Sequence, residues 1–492
     1  MPFHCITGKN RSDIIKTEWQ SGKEAPLDQP VRLMLFGAGN RGADSYGRYA
    51  LIHPDEVRFI AVAEPDPIRR NKFARDHQIS PEMQFHSWQD ALDAKGSVDA
   101  VLDATQDEMH HDSAIAALRA GYDMLLEKPI APTLEETLEI IHTAEENDRT
   151  LVICHVLRFT DFFSKVNQII KSGQLGKVVN ISHSENVSYY HMAHSYVRGN
   201  WRNTDIAAPM ILAKCCHDLD LLYWWMDDKP ELLSSTGNLL YYRPENAPEG
   251  APERCTDGCP AEKRCPFYAP RIYRDNVPIK MAVSRSKRLP LKFIGNLSLH
   301  HPGLTKAIAN IVPIVRTLVE YDDWPRNVVT DQPKSNAAVM AALRTGPYGR
   351  CVYHCDNNVV DHQVVNITFK NGITTTLTMH GHSEEEGRTL RVDGSRATLK
   401  GKFASSTAWL EIHEHLTGEV ERFEFASEVD QSSGHGGGDS GLMHHFVQVM
   451  RGEVPPLTSA RDSLESHLMA FAAEESRLEK KTIDMDQFEK SH

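Results

Sequence analysis

Apolar residues in the first third of the chain come in short unbroken runs. Val31-Arg-Leu-Met-Leu-Phe36 is one such run, and glycines follow it. A strand that is apolar on both faces marks a buried parallel sheet. Val57–Ala63, Val98–Asp103, Tyr122–Leu126 and Leu151–Cys154 repeat the pattern. Between them, Ser45–Ile52, Ile68–His77, His111–Ala120 and Thr133–Asn147 read as helices. Strands that alternate with helices predict a doubly wound parallel sheet.

The rhythm changes after about residue 155. Val178–Tyr190 is long and strand-like. His362–His380 turns at Asn371-Gly372, Arg388–Lys400 turns at Asp393-Gly394, and Trp409–His415 with Glu419–Phe425 flank Gly418. Asn-Gly and Asp-Gly between strand-like runs indicate antiparallel hairpins. Residues 440–478 return to helical spacing. The predicted fold class is therefore an α/β Rossmann domain followed by an α+β domain with a mostly antiparallel, open-faced sheet. The predicted boundaries are an N-terminal extension at 1–30, a nucleotide-binding domain at 31–154, a substrate and oligomerisation domain at 155–478, and a tail at 479–492. Residues 243–350 are rich in Pro, Arg and Cys and read as an insertion with its own short helices, since a structureless loop of that length is unusual in a compact domain.

Composition narrows the partners. The 492 residues suggest about two to four domains. A net charge of -13 argues against nucleic-acid or anionic-membrane binding, which need a positive field. Met1–Gln29 lacks the apolar core of a signal peptide, and no run approaches the roughly 20 apolar residues of a membrane span. The expectation is a soluble, cytoplasmic protein. Nine cysteines without a secretory signal point to free thiols or metal ligation rather than a disulfide framework.

The clearest chemistry lies at Gly37-Ala38-Gly39-Asn40-Arg41-Gly42, between a strand and a helix. In such a loop Gly37 permits the tight turn, Gly39 lets a pyrophosphate approach the backbone, and Gly42 lets helix and strand pack closely. Phosphates would sit on free N–H groups at the helix N-terminus. Glu64 ends the next strand, where a carboxylate accepts two ribose hydroxyls and repels a 2′-phosphate. NAD is favoured, and Arg69 and Arg70 leave NADP open.

Glu127-Lys128-Pro129 closes a later strand, about 90 residues after the glycine loop. With Ala104-Thr105, His110, Ala120-Gly121, Arg158-Phe159, Gly173-x-x-Gly176, His217-x-x-Asp220, Arg391–Gly401 and Gly436-Gly-Gly-Asp439, it resembles the Gfo/Idh/MocA oxidoreductases. The resemblance covers 31–230 well and 360–475 more loosely. It implies hydride transfer at a hydroxyl of a sugar, sugar acid or polyol. It implies cofactor contacts at the glycine loop, Asn40 and Arg41 included, and at Glu64, Thr105, His110, Glu127 and Lys128. It gives Lys128 a place beside substrate and nicotinamide ribose, and gives His217 the acid/base role. Family members carry an aspartate four residues before that histidine. Here the position is Ala213, and Lys214 follows as a second candidate cation. By analogy the assembly is a homodimer or homotetramer. Two other activities stay open: a redox-neutral, NAD-dependent glycosidase or lyase working through a transient keto-sugar, and a non-catalytic NAD-binding regulator.

Several side chains are candidates for the substrate pocket. His191, His194, Arg198, Trp201 and Arg202 lie in one aromatic, His- and Arg-rich segment; aromatic faces stack on sugars and Arg pairs with anions, which hints at an acidic sugar. His155, Arg158 and His435 join them, with Asp439 as a helix cap. Cys255, Cys259 and Cys265 form C-x3-C-x5-C in a Pro/Gly-rich loop. The expectation there is a structural tetrahedral zinc or, as the alternative, an iron–sulfur cluster, with a fourth ligand from Cys351, Cys355 or a histidine. Packed free thiols are the remaining alternative.

Overall fold

The computed structural model describes residues 29–93, 98–427 and 434–492, so nearly all of the expected N-terminal extension lies outside the described residues. Six parallel strands form the first sheet: β1 (Val31–Phe36), β2 (Val57–Ala63), β3 (Gln84–Phe85), β4 (Ala100–Asp103), β5 (Asp123–Leu126) and β6 (Leu151–Ile153). Their order is β3-β2-β1-β4-β5-β6. The order reverses between β1 and β4, and ligands of such sheets bind in the crevice beyond the carboxyl ends at that switch. The apolar runs are explained by burial on both faces; β4 and β5 have no exposed residue.

The glycine loop leaves β1 at this switch. Gly37 has φ +81°, and a Cβ there would lie 2.7 Å from the Ala104 carbonyl oxygen. Gly42 packs against Gly37, so a Cβ would fall 2.1 Å from the Gly37 oxygen. A wide helical turn, Asn40–Gly47, continues as the helix Arg48–Ile52. Helical structure thus begins earlier than the expected Ser45.

The second sheet has nine strands: β7 (Val178–Ser188), β8 (Pro230–Asn238), β9 (His362–Phe369), β10 (Thr374–Ser383), β11 (Gly387–Gly394), β12 (Ala397–Ala404), β13 (Thr407–Glu414), β14 (Val420–Phe425) and β15 (Ile483–Asp484). Their order is β14-β13-β12-β11-β7-β10-β9-β8-β15. Only β7 and β10 run parallel; the other neighbours are antiparallel. β9 and β10 alternate buried and part-exposed residues, as a sheet covered on one side requires. The helices Asp161–Lys171, Cys216–Met226 and Ala460–Glu479 cover the buried side.

Three details depart from the sequence expectation. The second hairpin turns at Ser395-Arg396, not Asp393-Gly394, because Gly394 still pairs with Val178. Gly394 is glycine because a Cβ would lie 2.1 Å from the Leu175 oxygen. Strand β8 gave no apolar signal, since it holds Pro230, Gly237 and several polar residues. The tail is part of the fold: Ile483 pairs with Leu233, and Met485 and Phe488 are buried.

The insertion carries helices at Val277–Ser284, Leu289–His300, Pro302–Ala309, Pro313–Val319, Arg326–Val329 and Asn336–Thr345. Two small apolar clusters of its own, one around Tyr273 and Leu343 and one around Ile294 and Leu318, hold it together. No helix among the described residues is long and apolar enough to cross a membrane.

Candidate active site

At the mouth of the first sheet, Glu64 is buried beneath the glycine loop. Its Oε2 accepts from the Ala38 N–H at 2.8 Å and its Oε1 from the Asp66 N–H at 3.0 Å. The carboxylate is thus fixed at the end of β2, beside the loop that would carry the pyrophosphate. A Cβ on Gly39 would meet nothing within 4 Å. This is the one glycine of the motif that faces open space, as a phosphate approaching the backbone requires. The residues present therefore fit a dinucleotide. Arg70 is turned onto the backbone, donating to the carbonyls of Glu64 and Pro65. Asp66 caps the helix Pro67–Asp76. Asn40 makes a long contact to Asp44 at 3.4 Å. Thr105 donates from N–H and Oγ1 to Asp103. His110 donates from Nδ1 to the Pro129 carbonyl at 2.8 Å, which ties the loop after β4 to the turn after β5.

Arg41 and Glu127 form a clasp. Arg41 Nε lies 2.6 Å from Glu127 Oε1, and its two terminal nitrogens donate to Asp439 at 2.8 and 3.1 Å. Tyr46 donates to the same Glu127 oxygen at 2.6 Å, and the Lys128 N–H donates to Oε2. Arg41 Nη1 also lies 3.3 Å from His435 Nδ1. Glycine loop, β5 end and the helix Gly438–Met450 are joined here. Both carboxylates are held below their usual range: burial works against this, and Arg41 overrides it.

Lys128 lies just past this clasp. Its Nζ donates to the Ala213 carbonyl at 2.7 Å. The helical stretch around His217 is interrupted: Met210–Ala213 ends, Lys214 and Cys215 form a break, and Cys216–Met226 begins anew. Lys214 consequently points elsewhere, with Nζ 2.9 Å from Glu386 and 3.4 Å from Glu185.

His217 is buried, its ring 5.7 Å from His155 and 6.4 Å from His435. Its Nδ1 has no hydrogen-bond partner among the described residues. Burial, then the charge of Lys128, holds this imidazole well below its ordinary pKa, so it is neutral. His155 is likewise buried and neutral, with its Nε2 3.8 Å from Asp220. His191 has a carboxylate partner, Glu386, 3.1 Å from Nδ1. His217 gathers His155 and His435 beyond the clasp, and Glu386 gathers Lys214 and His191 into a second polar group.

Glu386 and Glu185 were missed in the sequence. Glu386 sits in the acidic run Glu384-Glu385-Glu386 before β11, which reads as a solvated loop. Glu185 faces inward on β7, beside Arg388 and Asp218. Asp218 accepts from His183 and Arg388, so it cannot stand in for the missing aspartate.

Four arginine and histidine candidates are spent on the protein itself. Arg158 forks onto Asp220 at 2.6 and 2.7 Å and also donates to the Leu457 carbonyl. Arg198 is fully buried, donating to the carbonyls of Arg350 and Phe267. Arg202 pairs with Asp356 at 2.8 Å. His194 is bonded to Tyr273 and stacked on Tyr348 inside the insertion. Trp201 donates to Asp107 at 2.9 Å, a contact between the two domains. These contacts correct the expectation that Arg158, His194, Arg198 and Arg202 face a substrate: each polar head already has partners in the fold.

The tetrahedral zinc expected at Cys255, Cys259 and Cys265 is also corrected. Among the described residues no group of three or more His, Cys, Asp or Glu side chains could hold a metal ion. The three thiols instead line the wall of a cavity, together with Cys351.

Known proteins bear on this arrangement. Residues 31–155 match the description "Oxidoreductase family, NAD-binding Rossmann fold", and residues 167–277 and 293–485 match "Oxidoreductase family, C-terminal alpha/beta domain". Among relatives, an inositol 2-dehydrogenase of Corynebacterium glutamicum is 26% identical over 205 residues, 40% of this chain and 55% of its own length. A glycosyl hydrolase family 109 protein of Shewanella amazonensis is 28% identical over 212 residues, 40% of this chain and 45% of its own. The chain thus spans about half the length of the curated relatives it matches. A solved oxidoreductase from Agrobacterium radiobacter, in complex with NAD+, L-tartaric acid and magnesium, superposes with a TM-score of 0.59 at 13% identity. It covers 93% of this chain and 99% of that one, a likeness of fold. With both domain descriptions matched over most of its length, the chain belongs to the Gfo/Idh/MocA family of oxidoreductases.

Proposed function

We propose that this chain moves a hydride between NAD and a hydroxyl-bearing carbon of a sugar, sugar acid or polyol. The observation that carries the reading is the pairing of Lys128 with a buried, neutral His217 just past the glycine-loop clasp. NAD would lie along Gly37–Gly42 with its ribose at Glu64, and supplies the hydride acceptor. Glu64 favours NAD over NADP, because a fixed carboxylate repels a 2′-phosphate.

The chain's own residues handle the proton. Lys128 uses one of its three N–H donors on Ala213, which leaves two for a substrate oxygen. An ammonium there stabilises the developing alkoxide. His217, neutral and with a free nitrogen, accepts the hydroxyl proton. Lys214 and Glu386 both carry charge, so the pocket offers one cation and one anion to ring hydroxyls besides Lys128. With Arg198 and Arg202 engaged elsewhere, any anionic group on the substrate would meet Lys128 or Lys214. Net NADH formation at 340 nm over a panel of polyols, aldoses and uronic acids tests the reading.

One observation favours a second reading. The His191–Glu386 pair is a second proton-handling group in the same site. A keto-sugar elimination needs such a group for the departing aglycone, and one relative is named a glycosyl hydrolase. Glycoside turnover without NADH accumulation would replace the first reading with this one. The proposal includes a homodimer or homotetramer formed through the uncovered side of the second sheet, where Ser182, Ser184, Thr376 and Thr378 align; sedimentation at micromolar concentration measures it.

A further inference from the structure

We infer that the helical unit at 277–319, inside the insertion, docks on the surface of an anionic phospholipid bilayer through outward apolar side chains and the cations beside them.

The sequence sets this segment apart. Residues 276–319 hold seven Lys or Arg and no Asp or Glu, in a chain whose net charge is -13. The chain-wide charge argues against anionic membranes only where it is spread evenly, and here it is not. Salt screens charges beyond roughly 8 Å, so the local balance decides what a surface touching this unit meets.

The fold then turns apolar side chains outward. The helices Leu289–His300, Pro302–Ala309 and Pro313–Val319 share one small core of Ile294, Ala309, Val315 and Leu318. On Leu289–His300 that core takes one side, with Ile294, Gly295 and Ser298 buried. Helical spacing puts Leu289, Lys292, Phe293 and His300 on the opposite side, and all four are exposed. Leu289 is 77% exposed and Phe293 67%; on the next helix and the turn after it, Leu304 is 54% exposed and Ile311 83%. A single exposed leucine is ordinary. Four large apolar side chains on one unit of short helices, two of them one turn apart, mark a docking surface.

The cations select the occupant. Lys292 lies beside Phe293 on the outward face, and Lys306 follows Leu304 by two residues. Both are exposed, and neither has an ion-pair partner among the described residues. Other cations of the segment are engaged: Arg285 pairs with Glu384, Lys287 with Glu424, and Arg316 donates to the carbonyls of Ala309 and Asn310. The core of a contact between two proteins is depleted in lysine. Phe and Leu beside Lys is instead the composition of a helix lying in a bilayer interface, with apolar side chains among the acyl chains and ammonium groups among the headgroup phosphates. Such docking needs no spanning helix, and none is present among the described residues.

Co-sedimentation of the full chain with vesicles is the test, using phosphatidylcholine alone and phosphatidylcholine mixed with phosphatidylserine. Partition onto the phosphatidylserine vesicles should be greater by about tenfold or more, and should weaken at high salt. The double variant Leu289→Ser with Phe293→Ser should lose about tenfold in partition, and Lys292→Glu with Lys306→Glu should abolish the preference for phosphatidylserine. All four side chains are exposed, so Tm should stay at the parent value in both variants. Equal partition onto the two kinds of vesicle, or binding that neither variant weakens, would overturn the inference. So would a chain that ignores vesicles but loses sedimenting mass in the Leu289→Ser, Phe293→Ser variant, since the face would then be a contact between copies.

Discussion

At the scale of single residues, the position four before His217 decides how the site is built. An aspartate there would orient the imidazole; this chain has Ala213, and its carbonyl holds Lys128 instead. Burial, and after it the charge of Lys128, keeps His217 neutral below the ordinary value of 6.5. The sign follows: a base with a depressed pKa stays ready to accept a proton as pH falls through 6.5. The rate of alcohol oxidation should therefore show no inflection near that value, and a pH–rate profile that halves there would assign the base to another group. His217→Asn should lower kcat by roughly 10²–10⁴-fold, the usual worth of a positioned proton acceptor, while NAD binding by fluorescence quenching stays intact. Glu64→Ser should bring the NADP-to-NAD preference up by at least tenfold in kcat/KM; an unchanged ratio would remove Glu64 from the ribose site. These residues were legible because glycine spacing and the Glu-Lys-Pro turn are local signals. Glu386 was not, since an acidic run before a hairpin has the same appearance whether solvated or folded inward onto Lys214. Arg158, Arg198 and Arg202 misled for the converse reason: nothing in a local segment tells whether a guanidinium will meet a ligand, a carboxylate or a backbone carbonyl.

At the scale of elements, the strands and helices of the first domain followed the apolar runs closely, because a sheet buried on both faces needs uninterrupted apolar sequence. β8 escaped detection. Its pairing comes from long-range partners, β9 and β15, rather than from its own composition. The break at Lys214–Cys215 was also invisible, since Met210–Met226 reads as one helical stretch. The glycine loop is where backbone demands are strictest. Gly37→Ala should destabilise by about 1–3 kcal/mol, through a positive φ and a clash with the Ala104 carbonyl. Calorimetry should register it even without cofactor. The clasp is the other critical element. Arg41→Met leaves Glu127 and Asp439 buried without their cation, at a cost of about 3–5 kcal/mol. A variant as stable as the parent would mean that water replaces the arginine. A double variant, Arg41→Met with Asp439→Asn, should recover part of the loss.

For the whole molecule, a cofactor domain and a sheet domain meet around Lys128 and His217, and buried neutral histidines lie there and against the insertion. His155, His194, His217 and His467 are all held below their ordinary value by burial, His467 to about 3. The unfolded chain binds their protons first, so stability should fall as pH drops below 6.5. Glu185 acts in the opposite sense: burial pushes it up to about 7, so its contribution falls as pH rises from 4.5. The histidines outnumber it, and Tm should decrease from pH 7 to pH 5; a rise would show that Glu185 and its neighbours dominate. Hydride transfer at this junction is read from NADH formation at 340 nm across the polyol, aldose and uronic-acid panel, with parent and Lys128→Ala chains run side by side. Stoichiometric NADH is expected with at least one substrate, and a loss of about 10²-fold or more in kcat for the variant, with NAD affinity retained. Equal turnover by both chains, or NAD binding with no hydride transfer to any member of the panel, would contradict it.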